Sequence, residues 1–194
     1  TFQFFENVLT EVAALFPGKY FHIGGDEAPK ARWKESAAVQ EIMKRENITD
    51  VEKVQGWFNR RIEAFLTSKG KKLIGWDEIL EGGIAPTATV MSWRGEQGGI
   101  EAAKRGNDVV MTPAGFLYLD AGQNPVPHSP HEPLMIGGYV PLAKVYGYNP
   151  LPKELTPEQQ QHILGPRPTC GRSTLPLLKK QSTCYFRACW PCLK

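Results

Sequence analysis

The sequence has no apolar run long enough to cross a bilayer and no signal-peptide pattern, so no membrane span is expected within these residues. Acidic residues are missing from Pro166 to Lys194, where six Lys or Arg stand. The formal net charge of +3 owes its sign to that stretch, because residues 1 to 165 carry 17 basic and 20 acidic side chains, a net −3. A basic surface for nucleic acid is therefore not indicated, and no nucleic-acid partner is expected. Cysteine is absent before Cys170, and all four (Cys170, Cys184, Cys189 and Cys192) fall in the same tail. They form no paired CxxC units and no histidine follows His162, so no metal site and no cofactor are read from them. What remains is the composition of an ordinary globular protein, and 194 residues suffice for one domain with a real core. Thr1 falls inside a helical pattern, so the chain reads as a piece of a longer one.

Phe2, Phe5, Leu9, Val12 and Phe16 recur at helical spacing until Pro17-Gly18 ends the segment. A short apolar strand follows from Lys19 to Gly24, with Tyr20 to Ile23 expected to be buried. Thr49-Asp50-Val51-Glu52 has the pattern of a capping box, and Val54, Phe58, Ile62, Phe65 and Leu66 give the next helix one apolar face before Gly70 stops it. Three more strands read as "KKLIGWDEI", "TATVMSWRG" and "NDVVMTP", with the helical "EQGGIEAAKRG" between the last two. Alternating helices and short Val/Ile/Leu strands indicate an α/β fold with a parallel sheet. Four strands fit either an open doubly wound sheet or part of an eight-stranded barrel. From about Ala121 the chain turns proline-rich, a stretch too long for a simple connector, and Thr156 to Leu164 returns to helix-like sequence.

The first strand runs into "HIGGDEAP", with two adjacent acids, Asp26 and Glu27. Neighbouring side chains on a strand face opposite ways, so two acids could share one pocket only where the chain leaves the sheet. Gly24, Gly25 and Pro29 say that it does. An arbitrary Asp-Glu pair is more often a solvated turn, but the other strands repeat the arrangement. The second ends in Trp76-Asp77-Glu78, the third in Trp93-Arg94-Gly95, and the fourth is followed by Tyr118-Leu119-Asp120. Aromatic residues and acids at successive carboxyl ends suit a carbohydrate pocket, where indole rings stack on apolar sugar faces and carboxylates bind hydroxyls.

"HIGGDE", "GWDEI", "SWRG" and "YLD", in this order, resemble the catalytic barrel of the glycoside hydrolase family 20 β-N-acetylhexosaminidases. The resemblance spans residues 1 to about 165. It implies a partial (β/α)8 TIM barrel, roughly strands four to seven with their helices, and hydrolysis of terminal N-acetylglucosamine or N-acetylgalactosamine residues. Glu27 is then the general acid and base. Asp26 holds the substrate's own 2-acetamido group, whose oxygen attacks the anomeric carbon, the substrate-assisted exception to two-carboxylate catalysis. By the same resemblance Trp76 and Trp93 wall the acetamido pocket, Tyr118 donates to the acetamido oxygen and Asp120 binds sugar hydroxyls. His22 is expected to be structural and turned from the mouth, Asp77 and Glu78 to support or cap, and His128 and His131 to have no role. The family also implies a secreted, periplasmic or lysosomal location. It says nothing of oligomeric state.

After "HILG" the family leads one to expect a further strand resembling "QANLWTE", and this chain has "PRPTCGRSTLPLLKKQSTCYFRACWPCLK". Read one base early, codons for Pro166 to Lys194 can encode "QANLWTEYITSLKKAEYMLLPRMLALSE". Two bases of each shifted codon are nearly fixed by the residues written here, so chance is a poor explanation. The expectation is a barrel segment over residues 1–165 and a frame-shifted tail over 166–194, with the fragment alone weakly folded and weak or inactive. Two rivals are a non-catalytic sugar-binding module and a metal-dependent hydrolase using His22, His128, His131 and the acids, for which no ligand spacing speaks.

Overall fold

The computed structural model describes residues 1–125 and 138–169. Its centre is a five-stranded, wholly parallel sheet in the order β1 (Tyr20–His22), β2 (Lys72–Trp76), β3 (Thr89–Ser92), β4 (Val109–Met111) and β5 (Ile163–Pro166). Spatial order equals chain order, which is how a barrel wall is laid down. Register is set by Phe21 opposite Leu73, Gly75 opposite Val90 and Met91 opposite Val110. The helices are α1 (Phe2–Leu15), α2 (Ala31–Glu35), α3 (Ala37–Arg45), α4 (Glu52–Ser68), α5 (Gln97–Lys104), α6 (Ala114–Leu117), α7 (Leu142–Tyr146) and α8 (Pro157–Gln160). Among the described residues no helix is long and apolar enough to cross a membrane.

The core lies between the sheet and α1, α4 and α5, where Leu66, Leu73, Ile79, Val90, Ala102, Val109 and Met111 are almost wholly buried. Phe2 stacks on Phe58 with centroids 5.2 Å apart, and Phe5 meets the same ring edge-on at 5.4 Å. Those two rings are the apolar stripe of α1 put to use on α4. Tyr20, His22, Ile74, Met91, Val110, Leu164 and Arg167 share the opposite sheet face and line a shallow hollow. Tyr20 and His22 are exposed, so β1 is not the buried strand expected from its composition. It is an edge strand, and its alternate side chains lie on that open face.

Three local expectations are corrected. No capping box forms at Thr49; Asp50 Oδ1 instead accepts the Glu52 amide at 3.0 Å, and the box appears at Thr156, whose side chain accepts from Gln159 while Gln159 reaches back. The second strand stops at Trp76, because Asp77–Leu80 wind into a 3₁₀ turn. The helix-like run to Leu164 stops at Gln160, and a fifth strand follows. That strand crosses Gly165. Val109 donates to His162 O at 2.8 Å, Arg167 donates to Met111 O at 2.9 Å and Thr169 to Leu117 O at 2.8 Å. Pro166, which cannot donate, is tolerated because β5 is an edge.

The proline-rich segment begins and ends in a clasp. Gly122 and Tyr139 form an isolated parallel bridge, and the Gln123 side chain donates to Val140 O at 2.8 Å while accepting from the Leu142 amide at 3.0 Å. His128 and His131 lie outside the described residues.

Candidate active site

The acid pair leaves the sheet on a left-handed path. Gly24 and Gly25 have φ of 74° and 99°, and Glu27, which is not glycine, has φ of 48°. Glycine is required at position 25 twice over, since a Cβ there would lie 2.6 Å from Ile79 Cγ2. The main chain is pinned from three sides. Ile23 donates to Ile74 O and Trp76 to Gly24 O, each at 2.9 Å, and buried Gln55 on α4 donates to Gly25 O at 2.7 Å. Asp26 and Glu27 are both exposed at the carboxyl end of β1. Left-handed backbone at a non-glycine residue costs free energy and is kept where surrounding contacts over-determine it.

Beside the acids runs a row of rings, one per strand. His22 meets Trp76 edge-on at 4.9 Å, Trp76 meets Trp93 at 6.5 Å, and Trp93 lies 6.3 Å from Tyr118 with planes 28° apart. The two indoles and the phenol are partly buried. Solvation loss pushes the Tyr118 phenol up to about 12, with Asp120, Asp26, Asp77 and Glu78 adding to it. The hydroxyl is thus a proton donor across the whole ordinary pH range. Asp120 is buried at 7% exposure, deeper than a carboxylate waiting at an open mouth.

His22 keeps the structural bond expected of it, its Nδ1 accepting the Gly24 amide at 3.0 Å. It is not turned from the mouth, however; it is exposed and extends the aromatic row. Desolvation lowers its pKa although the residue keeps solvent contact, Asp26 opposes that shift and Arg167 adds to it. A neutral ring is what an Nδ1 acceptor requires.

Asp77 and Glu78 sit beneath the row and are both buried. Asp77 accepts from the amides of Trp93 and Arg94 at 3.1 and 3.2 Å and from Arg94 Nε at 2.6 Å. Arg94 continues to Glu81 at 3.0 Å, and Glu81 with Glu52 holds Lys30, three residues past the acid pair, at 3.3 and 2.9 Å. This relay of charges joins the ends of the first three strands. Sequence reading placed Arg94 at the end of the third strand without a role and did not find Gln55, Lys30 or Glu81, for these contacts span 13 to 51 residues and leave no periodic trace. Among the described residues, no cluster of three or more His, Cys, Asp or Glu could hold a metal ion.

Residues 1–170 match the catalytic domain of glycosyl hydrolase family 20. The chain belongs to that family. The β-hexosaminidase of Porphyromonas gingivalis is 54% identical over 165 residues, covering 84% of this chain and 21% of that protein. The β-hexosaminidase of Vibrio furnissii is 39% identical over 153 residues, 78% of this chain and 24% of the relative. The family 20 exo-β-N-acetylglucosaminidase of Vibrio harveyi, solved with N-acetylglucosamine, superposes with a TM-score of 0.82 at 32% identity, covering 96% of this chain and 29% of that one. The chain therefore spans between a fifth and a third of its relatives' lengths, and its parallel sheet is part of a family 20 (β/α)8 barrel.

Proposed function

We propose that the complete barrel to which this chain belongs removes terminal non-reducing β-linked N-acetylhexosamine residues by a retaining, substrate-assisted mechanism. One observation carries the reading: two exposed acids on a strained turn stand at the head of a row of rings laid across successive strand ends. The sugar's acetamido oxygen attacks the anomeric carbon while the bond to the aglycone oxygen breaks and Glu27 gives that oxygen its proton. An oxazolinium ring forms, with its charge balanced by Asp26. Water, deprotonated by Glu27, then opens the ring at the same carbon and restores the starting configuration. Trp76 and Trp93 wall the acetamido group, Tyr118 donates to its oxygen, and Asp120 takes a sugar hydroxyl. No cofactor enters any step.

The test uses a chimera in which residues 1–165 replace the matching segment of the Porphyromonas gingivalis relative, assayed on a chromogenic N-acetylglucosaminide. Glu27→Gln and Asp26→Asn are each expected to lower kcat by about 10² to 10⁴ while the chimera stays folded. Wild-type turnover by either variant would overturn the mechanism. Binding of N-acetylglucosamine without hydrolysis by the unsubstituted chimera would favour a sugar-binding module instead. A route of export from the cytoplasm, as the family resemblance implies, belongs to the same proposal.

We also propose that residues 1–165 are the barrel segment and that the tail beyond them is a frame-shifted reading of the next strand and helix. The pairing of Arg167 and Thr169 uses main-chain atoms, which are indifferent to the side chains a frame slip would exchange. Sequencing the encoding DNA tests this. An uninterrupted frame without a compatible shifted reading would end the idea.

A further inference from the structure

We propose that Glu78 is a positioning residue that fixes the indole plane of Trp93 and, through it, the wall of the acetamido pocket; this rests on the sugar-pocket reading above. Trp93 is held at two levels by consecutive acids of one turn. Asp77 fixes its main chain, accepting the Trp93 amide at 3.1 Å. Glu78 fixes its ring, with Oε2 and Oε1 at 2.9 and 3.2 Å from the indole Nε1. An indole has a single donor, so a carboxylate placed under it defines the ring's rotation about its outer bond.

The arrangement is costly, which argues that it does something. Glu78 is only 7% exposed, and desolvation raises its pKa against the opposing bond from Trp93 and the charge of Arg94. Arg94 alone does not explain the acid, because its guanidinium comes no closer to Glu78 than 3.7 Å and spends its short bonds on Asp77 and Glu81. The 3₁₀ turn is what delivers both acids. A strand continued through Asp77 and Glu78 would send them to opposite faces, whereas the turn buries both under the next strand's end. Trp93 in turn meets Trp76 and Tyr118, so one rotamer is transmitted along the row.

Two measurements test the proposal. In the chimera labelled at its tryptophan indoles, the N–H resonance of Trp93 is expected to lose its exchange protection in Glu78→Leu and to keep most of it in Glu78→Gln, which retains an oxygen acceptor. In the chimera, Glu78→Leu is expected to lower kcat/KM by about 10²-fold, the scale of a misplaced reacting group, with Glu78→Gln recovering most of the loss. On a Trp93→Phe background the same Glu78→Leu change should cost less than about two-fold, because a residue acting only through Trp93 has nothing left to hold. A full additional loss on that background would assign Glu78 to the fold or to Arg94 and overturn the proposal. An unchanged Trp93 resonance in Glu78→Leu would do the same. If the resonance responds to Glu78 while the unsubstituted chimera neither binds nor cleaves the sugar, the tether stands, its positioning role falls, and the fault lies in the sugar-pocket reading.

Discussion

Gln55 and Gly25, thirty residues apart, are joined by a 2.7 Å hydrogen bond that ties helix α4 to the turn carrying both acids. Gln55 is buried, so replacing it with leucine would leave the Gly25 carbonyl without its donor. Gln55→Leu is expected to cost about 1–3 kcal/mol, seen as a lower urea midpoint of the chimera, and to reduce turnover because the acid turn loosens. An unchanged midpoint would mean that water replaces the amide at no cost.

Gly25→Ala tests the same turn from inside. The new methyl would lie 2.6 Å from Ile79 Cγ2 at a φ of 99°. Strain and overpacking together predict a loss of about 2–5 kcal/mol, well above that of Gly18→Ala, where nothing lies within 4 Å. Comparing the thermal midpoints of the two variants checks the difference.

Tyr118 gives a pH prediction with a definite sign. In the unfolded chain the phenol ionises near its ordinary value of 10.0, whereas in the fold it keeps its proton to about 12. Above pH 10 the native state thus binds more protons than the unfolded one, so its stability falls as pH rises from about 10 toward 12. Tyr118→Phe should flatten that part of the stability profile. Near-ultraviolet difference spectra of the folded chimera should show Tyr118 titrating late alongside Tyr148, which burial and Glu96 raise as well, and the variant should lose the Tyr118 step alone.

The isolated 194-residue chain is expected to associate and to hydrolyse N-acetylglucosaminides weakly or not at all. β1 is an unpaired edge among the described residues, and Phe4, Leu15, Phe16, Tyr20 and Leu164 are exposed. Open edges and uncovered apolar faces favour self-association. Sedimentation at several concentrations and a chromogenic assay check both halves; a monomer with robust turnover would contradict them.

The first four strands could be read in the sequence because each is a short apolar run closed by glycine, proline or a charged turn. β5 could not, since "HILGP" follows a capped helical turn and carries a proline, and its strand character comes from the neighbouring Val109 and Met111. The acids and rings at strand ends were legible because the rise of a strand places its last residue at the mouth whatever the helices do. The supports beneath them were not. Asp77 takes its amides and its guanidinium from 16 and 17 residues away, and Gly98 must lack a side chain because a Cβ would lie 2.7 Å from Asp77 Cβ. Only the closed fold states that requirement.

The clasp of Gly122 with Tyr139 and of Gln123 with Val140 and Leu142 has an architectural outcome. Its two stems are tied to each other by a main-chain bridge and by the Gln123 side chain, so their pairing depends on those bonds and not on the number of residues that separate them in the chain.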